Sequence, residues 1–300
     1  VLSGQTGNDT LVGNGGDDTL DGGAGQDLAD YSGSVGSVTV DLGLGTASDG
    51  VGGTDTLISV EDVLGSGNND TISGDGNSNV LDGAAGDDVL YGAGGVDTLD
   101  GGAGTDTADY SNAAGAVNVD LTAGSAANDG DGGADTLANL ENVTGSDFND
   151  VLTGDALANT LEGGLGDDTL AGRGGADTLD GGAGTDTADY SAATASITAD
   201  LGTGTATGEG VDTLIGIENV TGSAQADDLT GDANNNVLDG NDGDDVLSGA
   251  GGDDTLNGGL GTDTVDYSGS TSAVTVNLGF GTATGEGNDL LSSIENVVGS

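Results

Sequence analysis

The chain has 300 residues and a formal net charge of -52, because 53 acidic side chains stand against one basic side chain; it contains 64 glycines and no Pro, Cys, Met, Trp or His. This charge excludes nucleic acid as a partner and disfavours an anionic membrane surface, since both are bound through Lys and Arg. The missing His and Cys exclude the usual zinc and copper ligands and the Ser-His-Asp triad, and aromatic residues at 2% leave no conventional globular core.

The chain also gives little sign of membrane targeting. No apolar run approaches the length that spans a bilayer, so we expect no membrane insertion. No signal peptide is visible, and Val1 rather than Met begins the sequence. We therefore expect the sequence to be a fragment of a longer protein.

The first predicted element is an array of nine-residue units over residues 1–30. Its units begin at Gly4, Gly13 and Gly22 and follow the template G-G-x-G-x-D-x-U-x, in which U is apolar. Further arrays are predicted at 65–109, 145–189 and 222–266, and they bring the number of units to 18. Position eight is apolar throughout, from Leu11 to Val265. Composition alone would also fit an acidic disordered chain, but disorder does not place an apolar residue at every ninth position.

The arrays alternate with segments at 31–64, 110–144 and 190–221, and with 267–300, which includes the start of a next array. Each segment opens on Asp-Tyr-Ser, and the alternation over 38–42 predicts a strand, followed by a Gly-Thr-Ala turn. We interpret the segments as degenerate coils of the same solenoid. A small separate β-unit or a linker is the alternative.

The nonapeptide suits an oxygen-seeking cation. Gly takes positive φ without steric cost, so turn carbonyls can point towards one centre, and the Asp at position six adds a carboxylate. The residues x-U-x then form a short strand, and two turns with two strands complete a coil of about 18 residues, stacked about 4.8 Å from the next. Calcium binds about six to eight oxygens at such a centre, whereas magnesium demands a stricter octahedron.

At these residues the chain resembles the RTX family, the haemolysin-type calcium-binding repeats. The resemblance implies an all-β fold, a right-handed parallel β-roll or β-solenoid, with several Ca²⁺ ions held between turns one coil apart. It also implies that the chain folds on calcium binding outside the cell, as a secreted or cell-surface protein, commonly after type I secretion.

The resemblance assigns metal-binding roles to two sets of turn residues. The aspartates at position six are Asp9, Asp18, Asp27, Asp70, Asp88, Asp97, Asp106, Asp150, Asp168, Asp177, Asp186, Asp227, Asp245, Asp254 and Asp263. The glycines at position one are Gly13, Gly22, Gly83, Gly92, Gly101, Gly163, Gly172, Gly181, Gly240, Gly249 and Gly258. The second unit of each complete array departs from the pattern, because position six is Asn79, Asn159 or Asn236. We expect those three turns to bind calcium poorly.

The expected function is a calcium-binding scaffold or secretion-linked module, and no enzyme. The alternatives are the stalk of a surface adhesin or matrix protein, with self-association or cell-surface and matrix partners, and the non-catalytic tail of a secreted hydrolase or epimerase. An ice-binding row of threonines at position seven is a minor alternative, which Val89, Val246 and Asp228 interrupt. We interpret the recurrent Asp-Tyr-Ser as packing or capping at an array end.

Overall fold

The computed structural model describes residues 1–300, which form β-strands, turns and bends without any helix. Consequently no helix in it could cross a membrane. The chain divides into two compact units, Val1–Leu152 and Thr153–Ser300.

The strands are short because each nonapeptide contributes only three residues to a sheet. The strands of the first unit are β1 (Leu2–Ser3), β2 (Thr10–Leu11), β3 (Thr19–Asp21), β4 (Leu28–Asp30), β5 (Thr39–Asp41), β6 (Thr46–Ser48), β7 (Thr54–Ile58), β8 (Asp62–Leu64), β9 (Thr71–Ser73), β10 (Val80–Asp82), β11 (Val89–Tyr91), β12 (Thr98–Asp100), β13 (Thr107–Asp109), β14 (Asn118–Asp120), β15 (Ser125–Asn128), β16 (Asp135–Ala138) and β17 (Asn142–Thr144), and β18 (Val151–Thr153) lies at the boundary. The strands of the second unit are β19 (Thr160–Leu165), β20 (Thr169–Ala171), β21 (Thr178–Ala183), β22 (Thr187–Asp189), β23 (Thr198–Asp200), β24 (Thr205–Thr207), β25 (Val211–Ile215), β26 (Asn219–Thr221), β27 (Asp228–Thr230), β28 (Val237–Asp239), β29 (Val246–Ser248), β30 (Thr255–Asn257), β31 (Thr264–Asp266), β32 (Thr275–Asn277), β33 (Thr282–Thr284), β34 (Asn288–Ser292) and β35 (Asn296–Val298).

Within an array, consecutive strands alternate between two sheets, so each strand pairs with the strand one coil away. Leu81 of β10 is in parallel register with Leu99 of β12, and Ile72 of β9 with Leu90 of β11. Both pairs are 18 residues apart, which is twice the nonapeptide period. The second unit repeats this arrangement, for example between Leu238 and Leu256. These pairings confirm the predicted all-β parallel roll.

The core is a ladder of position-eight side chains that face inward between the two sheets. Leu20, Leu81, Leu90 and Leu99 are each 0% exposed, and Ala108 continues the ladder. Because successive side chains of a strand point to opposite faces, the side chains at positions seven and nine face away from this core. A chain poor in aromatics therefore buries apolar area one coil at a time, against neighbouring coils only.

The segment after the first array differs from the expected pair of simple coils, because it contains antiparallel strands. β7 stacks parallel on β3, and β5 stacks parallel on β9, while β6 runs antiparallel between β7 and β5. The sequence Gly-Thr-Ala at 45–47, expected to be a turn, supplies only Gly45 to the turn and then enters β6. Gly45 has φ +66°, which favours glycine, and its N–H closes the turn on the carbonyl of Leu42 at 3.2 Å.

The same meander recurs in the other three segments. It comprises β14 to β16 in the first unit, and β23 to β25 and β32 to β34 in the second. The final strand of the segment returns to the opposite sheet, where β8 stacks on β4 with Ala29 beside Val63. Each segment thus adds strands to the same two sheets that the arrays build in its unit.

Candidate calcium-binding turns

The position-six aspartates of an array stack directly on one another. The backbone N–H of Asp70 donates to Oδ1 of Asp88 at 2.7 Å, and that of Asp88 donates to Oδ1 of Asp106 at 2.7 Å. The same bond joins Asp9 to Asp27, Asp168 to Asp186, Asp227 to Asp245 and Asp245 to Asp263, at 2.8 to 2.9 Å. One carboxylate oxygen of each acceptor is therefore fixed by the preceding coil.

The other carboxylate oxygen of most of these aspartates is buried and has no hydrogen-bond partner. This holds for Oδ2 of Asp9, Asp27, Asp88, Asp97, Asp106, Asp177, Asp186, Asp245 and Asp263. A buried carboxylate oxygen without a donor is costly, and buried charges in proteins are generally paired or bound to metal. The arrangement therefore fits a cation that contacts Oδ2.

Backbone carbonyls converge on the same places. A Cβ built on Gly83 would lie 2.8 Å from the carbonyl oxygen of Gly101 and would also meet Asp88 Oδ2. At Gly163 the corresponding carbonyl is that of Gly181, 2.6 Å away, and Asp168 Oδ2 is again close. Only glycine at position one leaves space between the carboxylate and the carbonyl one coil on. Oxygens of these two kinds are what calcium binds.

Three of the buried carboxylates, those of Asp88, Asp97 and Asp245, have raised pKa values. Burial, followed by the charges of Asp70 and Asp106, raises the pKa of Asp88 to about 6. Burial raises the pKa of Asp97 and of Asp245 to about 7, with neighbouring aspartates adding to the shift. A bound cation would reverse this penalty, because it stabilises the charged form that burial and like charges destabilise.

The asparagine turns are closed by their own amides. Oδ1 of Asn79 accepts the N–H of Asp75 at 2.8 Å, and Nδ2 donates to the carbonyl of Glu61 at 2.7 Å. Asn236 makes the corresponding bonds to Asp232 and Glu218, each at 2.8 Å. Each of these two amides thus uses its oxygen and one of its N–H donors within the protein, and weak calcium binding at these turns stays a prediction.

The first turn of each complete array also differs from the later ones. Ser66 donates its N–H to Asp70 Oδ2 at 2.5 Å and its hydroxyl to Oδ1 at 2.9 Å. Ser146 with Asp150, and Ser223 with Asp227, repeat this pattern. Both oxygens of these three aspartates therefore already accept hydrogen bonds from the protein. The signal in the sequence was serine at position two, and its effect was not foreseen.

The turns of an array form two opposite rows, one that contains Asp106 and one that contains Asp97. Residues of the segments extend both rows, and sequence reasoning missed them. Oε2 of Glu141 accepts the N–H of Asp106 at 2.9 Å, and Oδ1 of Asp135 accepts that of Asp97 at 3.0 Å. The equivalents are Glu61, Glu218 and Glu295 in one row and Asp55, Asp212 and Asp289 in the other. Their recurrence in every segment was visible, but a role requires the three-dimensional stacking.

The tyrosine of Asp-Tyr-Ser caps the end of the row that contains Asp97 and its equivalents. The hydroxyl of Tyr110 donates to Oδ2 of Asp135 at 3.3 Å, and Tyr267 donates to Asp289 at 2.7 Å. Tyr31 and Tyr190 do the same to Asp55 and Asp212. These bonds agree with the capping interpretation of the motif.

Nowhere do three or more acidic side chains gather into a cluster that could hold a metal ion on carboxylates alone. A cation in these turns would instead combine one or two carboxylates with backbone carbonyls. This follows from the sequence, since a turn that matches the template supplies one aspartate at position six together with several glycines.

Together the parallel roll and its aspartate-lined turns define a calcium-binding repeat protein. The family model of the RTX calcium-binding nonapeptide repeat matches residues 1–29, 61–90, 73–108, 153–188, 212–246 and 230–265. These matches cover more than half of the chain, so the chain belongs to the RTX calcium-binding nonapeptide repeat family. In this family the repeat region is a structural, non-catalytic module, typical of secreted proteins.

A search of curated proteins found no match. Among solved structures, the chain is similar to the crystal structure of the extracellular lipase LipA from Serratia marcescens, with 17% sequence identity and a TM-score of 0.24. The match covers 80% of this chain and 37% of the lipase chain, so the chain spans just over a third of that protein's length.

Proposed function

We propose that this chain is a calcium-triggered scaffold, in which turns one coil apart hold Ca²⁺ between a carboxylate and backbone carbonyls. The observation that supports this most directly is the set of buried Oδ2 atoms without a hydrogen-bond donor. For Asp9, Asp88 and Asp245, this atom lies beside a position-one glycine, in a space that a backbone carbonyl from the next coil also borders.

The ligands we propose first are the aspartates whose Oδ2 is buried without a donor: Asp9, Asp27, Asp88, Asp97, Asp106, Asp177, Asp186, Asp245 and Asp263. Asp18, Asp168 and Asp254 occupy equivalent positions in the repeat. Asp70, Asp150 and Asp227 are weaker candidates, since serine already satisfies both of their carboxylate oxygens.

Calcium would act on folding through charge. With a net charge of -52, a compact state without cations repels itself. Ions that bind only the folded turns stabilise that state by mass action, so folding follows the calcium concentration. Extracellular calcium modules commonly have dissociation constants of about 10⁻⁴ to 10⁻³ M, which would keep the chain unfolded inside a cell and fold it outside.

We infer an extracellular, secreted or cell-surface role as a rigid scaffold or a secretion-linked module. Each coil packs only on its neighbours, which suits an extended spacer better than a catalytic domain. The stalk of an adhesin or matrix protein, and the tail of a secreted hydrolase or epimerase, are the alternative settings. Both use the same calcium-dependent roll.

Circular dichroism of the chain in chelator and in millimolar calcium tests the proposal. We expect a largely unfolded spectrum in chelator and a β-rich spectrum in calcium. Magnesium at the same concentration is the matched control and should not induce the change, because it requires a stricter octahedron. A β-rich spectrum that chelator leaves unchanged would overturn the proposal.

A further inference from the structure

We propose that each array ends in an additional calcium site, which a glutamate of the following segment completes. The four glutamates are Glu61, Glu141, Glu218 and Glu295. The inference rests on the proposed function, because it takes the cation of the repeats to be calcium. It extends the row of sites by one beyond the last nonapeptide turn.

The glutamate accepts the hydrogen bond that the aspartate of the next coil would accept if the array continued. Within the second array, Oδ1 of Asp106 accepts the N–H of Asp88 at 2.7 Å. At the array end, Oε2 of Glu141 accepts the N–H of Asp106 at 2.9 Å. The longer side chain therefore reaches the same donor from a segment that has no nonapeptide turn.

The last aspartate itself has an oxygen to offer. Asp106 is 0% exposed, and its Oδ2 has no hydrogen-bond partner. A Cβ built on Gly101 would lie 2.7 Å from this oxygen, so Oδ2 points into the space beside position one of the final turn. This is the arrangement seen one coil earlier at Gly83 and Asp88.

A backbone carbonyl also borders the space beside the position-one glycine. At Gly83 this is the carbonyl oxygen of Gly101, from the next coil. At Gly101, no next nonapeptide exists, and the carbonyl oxygen of Asn139 lies there instead. Asn139 has φ +50°, a left-handed conformation that is uncommon for a residue other than glycine. The strained residue thus supplies an oxygen where the repeat would have supplied one.

The construction is repeated at the other three array ends. The carbonyls of Ser59, Gly216 and Ser293 take the role of Asn139, with φ of 49°, 57° and 52°. Each lies two residues before its glutamate, and the glutamates accept the N–H of Asp27, Asp186 and Asp263 at 2.9 to 3.0 Å. Oδ2 of each of these aspartates is buried without a donor.

A glutamate that served only as a hydrogen-bond cap would not need its charge. The neutral amide of glutamine also offers an oxygen to the aspartate N–H. Placing a carboxylate beside a buried aspartate instead brings two negative charges together, which is unfavourable without a cation. Two carboxylates and a carbonyl, with water completing the shell, match calcium's preference for oxygen ligands.

The test is a count of bound ions in the whole chain with all four glutamates replaced by glutamine. Glutamine keeps the acceptor for the aspartate N–H, so circular dichroism in saturating calcium should be unchanged. After equilibrium dialysis and elemental analysis, we expect about four fewer calcium ions per chain than in the unmodified protein. Glu162→Gln is the matched control, since that exposed side chain lies on β19 away from any array end, and its ion count should be unchanged.

The outcomes separate the two proposals. If the unmodified chain binds calcium and the fourfold variant binds the same number of ions, the glutamates are structural caps and this inference is wrong. If the unmodified chain binds no calcium, the proposed function fails first. Should the fourfold variant not fold, Glu141→Gln alone must bind one ion fewer, and an unchanged count would again overturn the inference.

Discussion

The backbone N–H of Asp88 donates to Oδ1 of Asp106 at 2.7 Å, so two aspartates 18 residues apart in the sequence stack directly in space. The bond orients the Asp106 carboxylate before any ion arrives, and it leaves Oδ2 for a ligand. Because Asp88 accepts the same bond from Asp70, it belongs to two successive contacts in its row. Its removal should therefore affect neighbouring coils together.

We expect Asp88→Asn to weaken calcium binding and to make calcium-induced folding less cooperative. Asparagine keeps an oxygen for the Asp70 N–H, but it removes the negative charge that a cation requires. Isothermal titration with calcium measures the change. Asp87→Asn is the matched control, because it removes the same charge from an exposed neighbouring residue. Equal losses in both variants would contradict a specific role of Asp88.

We expect Asn79→Ala to change calcium binding much less than Asp88→Ala. The amide of Asn79 is committed to Asp75 and Glu61, so its loss costs stability without removing a calcium ligand. Calcium titrations monitored by circular dichroism would compare the two variants. Superimposable titration curves would show that asparagine and aspartate turns contribute equally.

Calcium affinity should fall as the pH is lowered from 8 to 5. Burial raises the pKa of Asp97 and Asp245 to about 7 and those of Asp88, Asp177 and Asp254 to about 6. Protons therefore compete with calcium in this window. Titrations at fixed ionic strength should give a rising dissociation constant below about pH 7. An affinity independent of pH between 8 and 5 would contradict the model of buried carboxylate ligands.

The metal-free chain should respond to pH in the opposite direction. An acid whose pKa is higher in the folded state binds more protons there than in the unfolded state, so folding becomes more favourable as the pH falls from about 7 towards 4. Circular dichroism in chelator should show structure increasing over this range. A calcium-free chain that gains no structure on acidification would mean that carboxylate repulsion does not limit folding.

The repeating part of the fold could be predicted from the sequence because its period is fixed. Glycines every nine residues set the turns, and the apolar residue at position eight sets the inward face, as Leu81, Leu90 and Leu99 illustrate. The stacking of Asp88 on Asp106 follows from the same period. These features depend on local chemistry that each nonapeptide repeats.

The segments could not be predicted to the same depth. The sequence predicts the strand at 38–42 and a turn after it, but neither signal specifies that β6 then pairs antiparallel with both β5 and β7. The roles of Glu141 and Asp135 depend on contacts with residues 35 and 38 positions away. Such contacts appear only when the coils are stacked.

We expect Leu90→Ala to destabilise the calcium-bound protein by about 2 to 5 kcal/mol, since Leu90 is fully buried and stacks between Ile72 and Ala108. Urea unfolding in saturating calcium measures the change. Val96→Ala is the control, because Val96 is 62% exposed and its loss should be nearly neutral. Equal destabilisation by the two substitutions would be inconsistent with a position-eight core.

We expect Tyr110→Phe to destabilise the protein, because it removes the hydroxyl that donates to Asp135 Oδ2 inside the array end. A buried acceptor left without its donor costs about 1 to 3 kcal/mol. Burial raises the pKa of Asp135 to about 6, so the loss should be larger at pH 8, where the group is charged, than at pH 5, where it carries its own proton. Thermal unfolding in calcium at both pH values measures the effect.

Tyr91→Phe is the matched control, since the Tyr91 hydroxyl donates to Asp131 at 2.9 Å but both residues are only half-buried. A loss that is the same for both tyrosines, or independent of pH for Tyr110, would show that the hydroxyl does not cap the buried aspartate row.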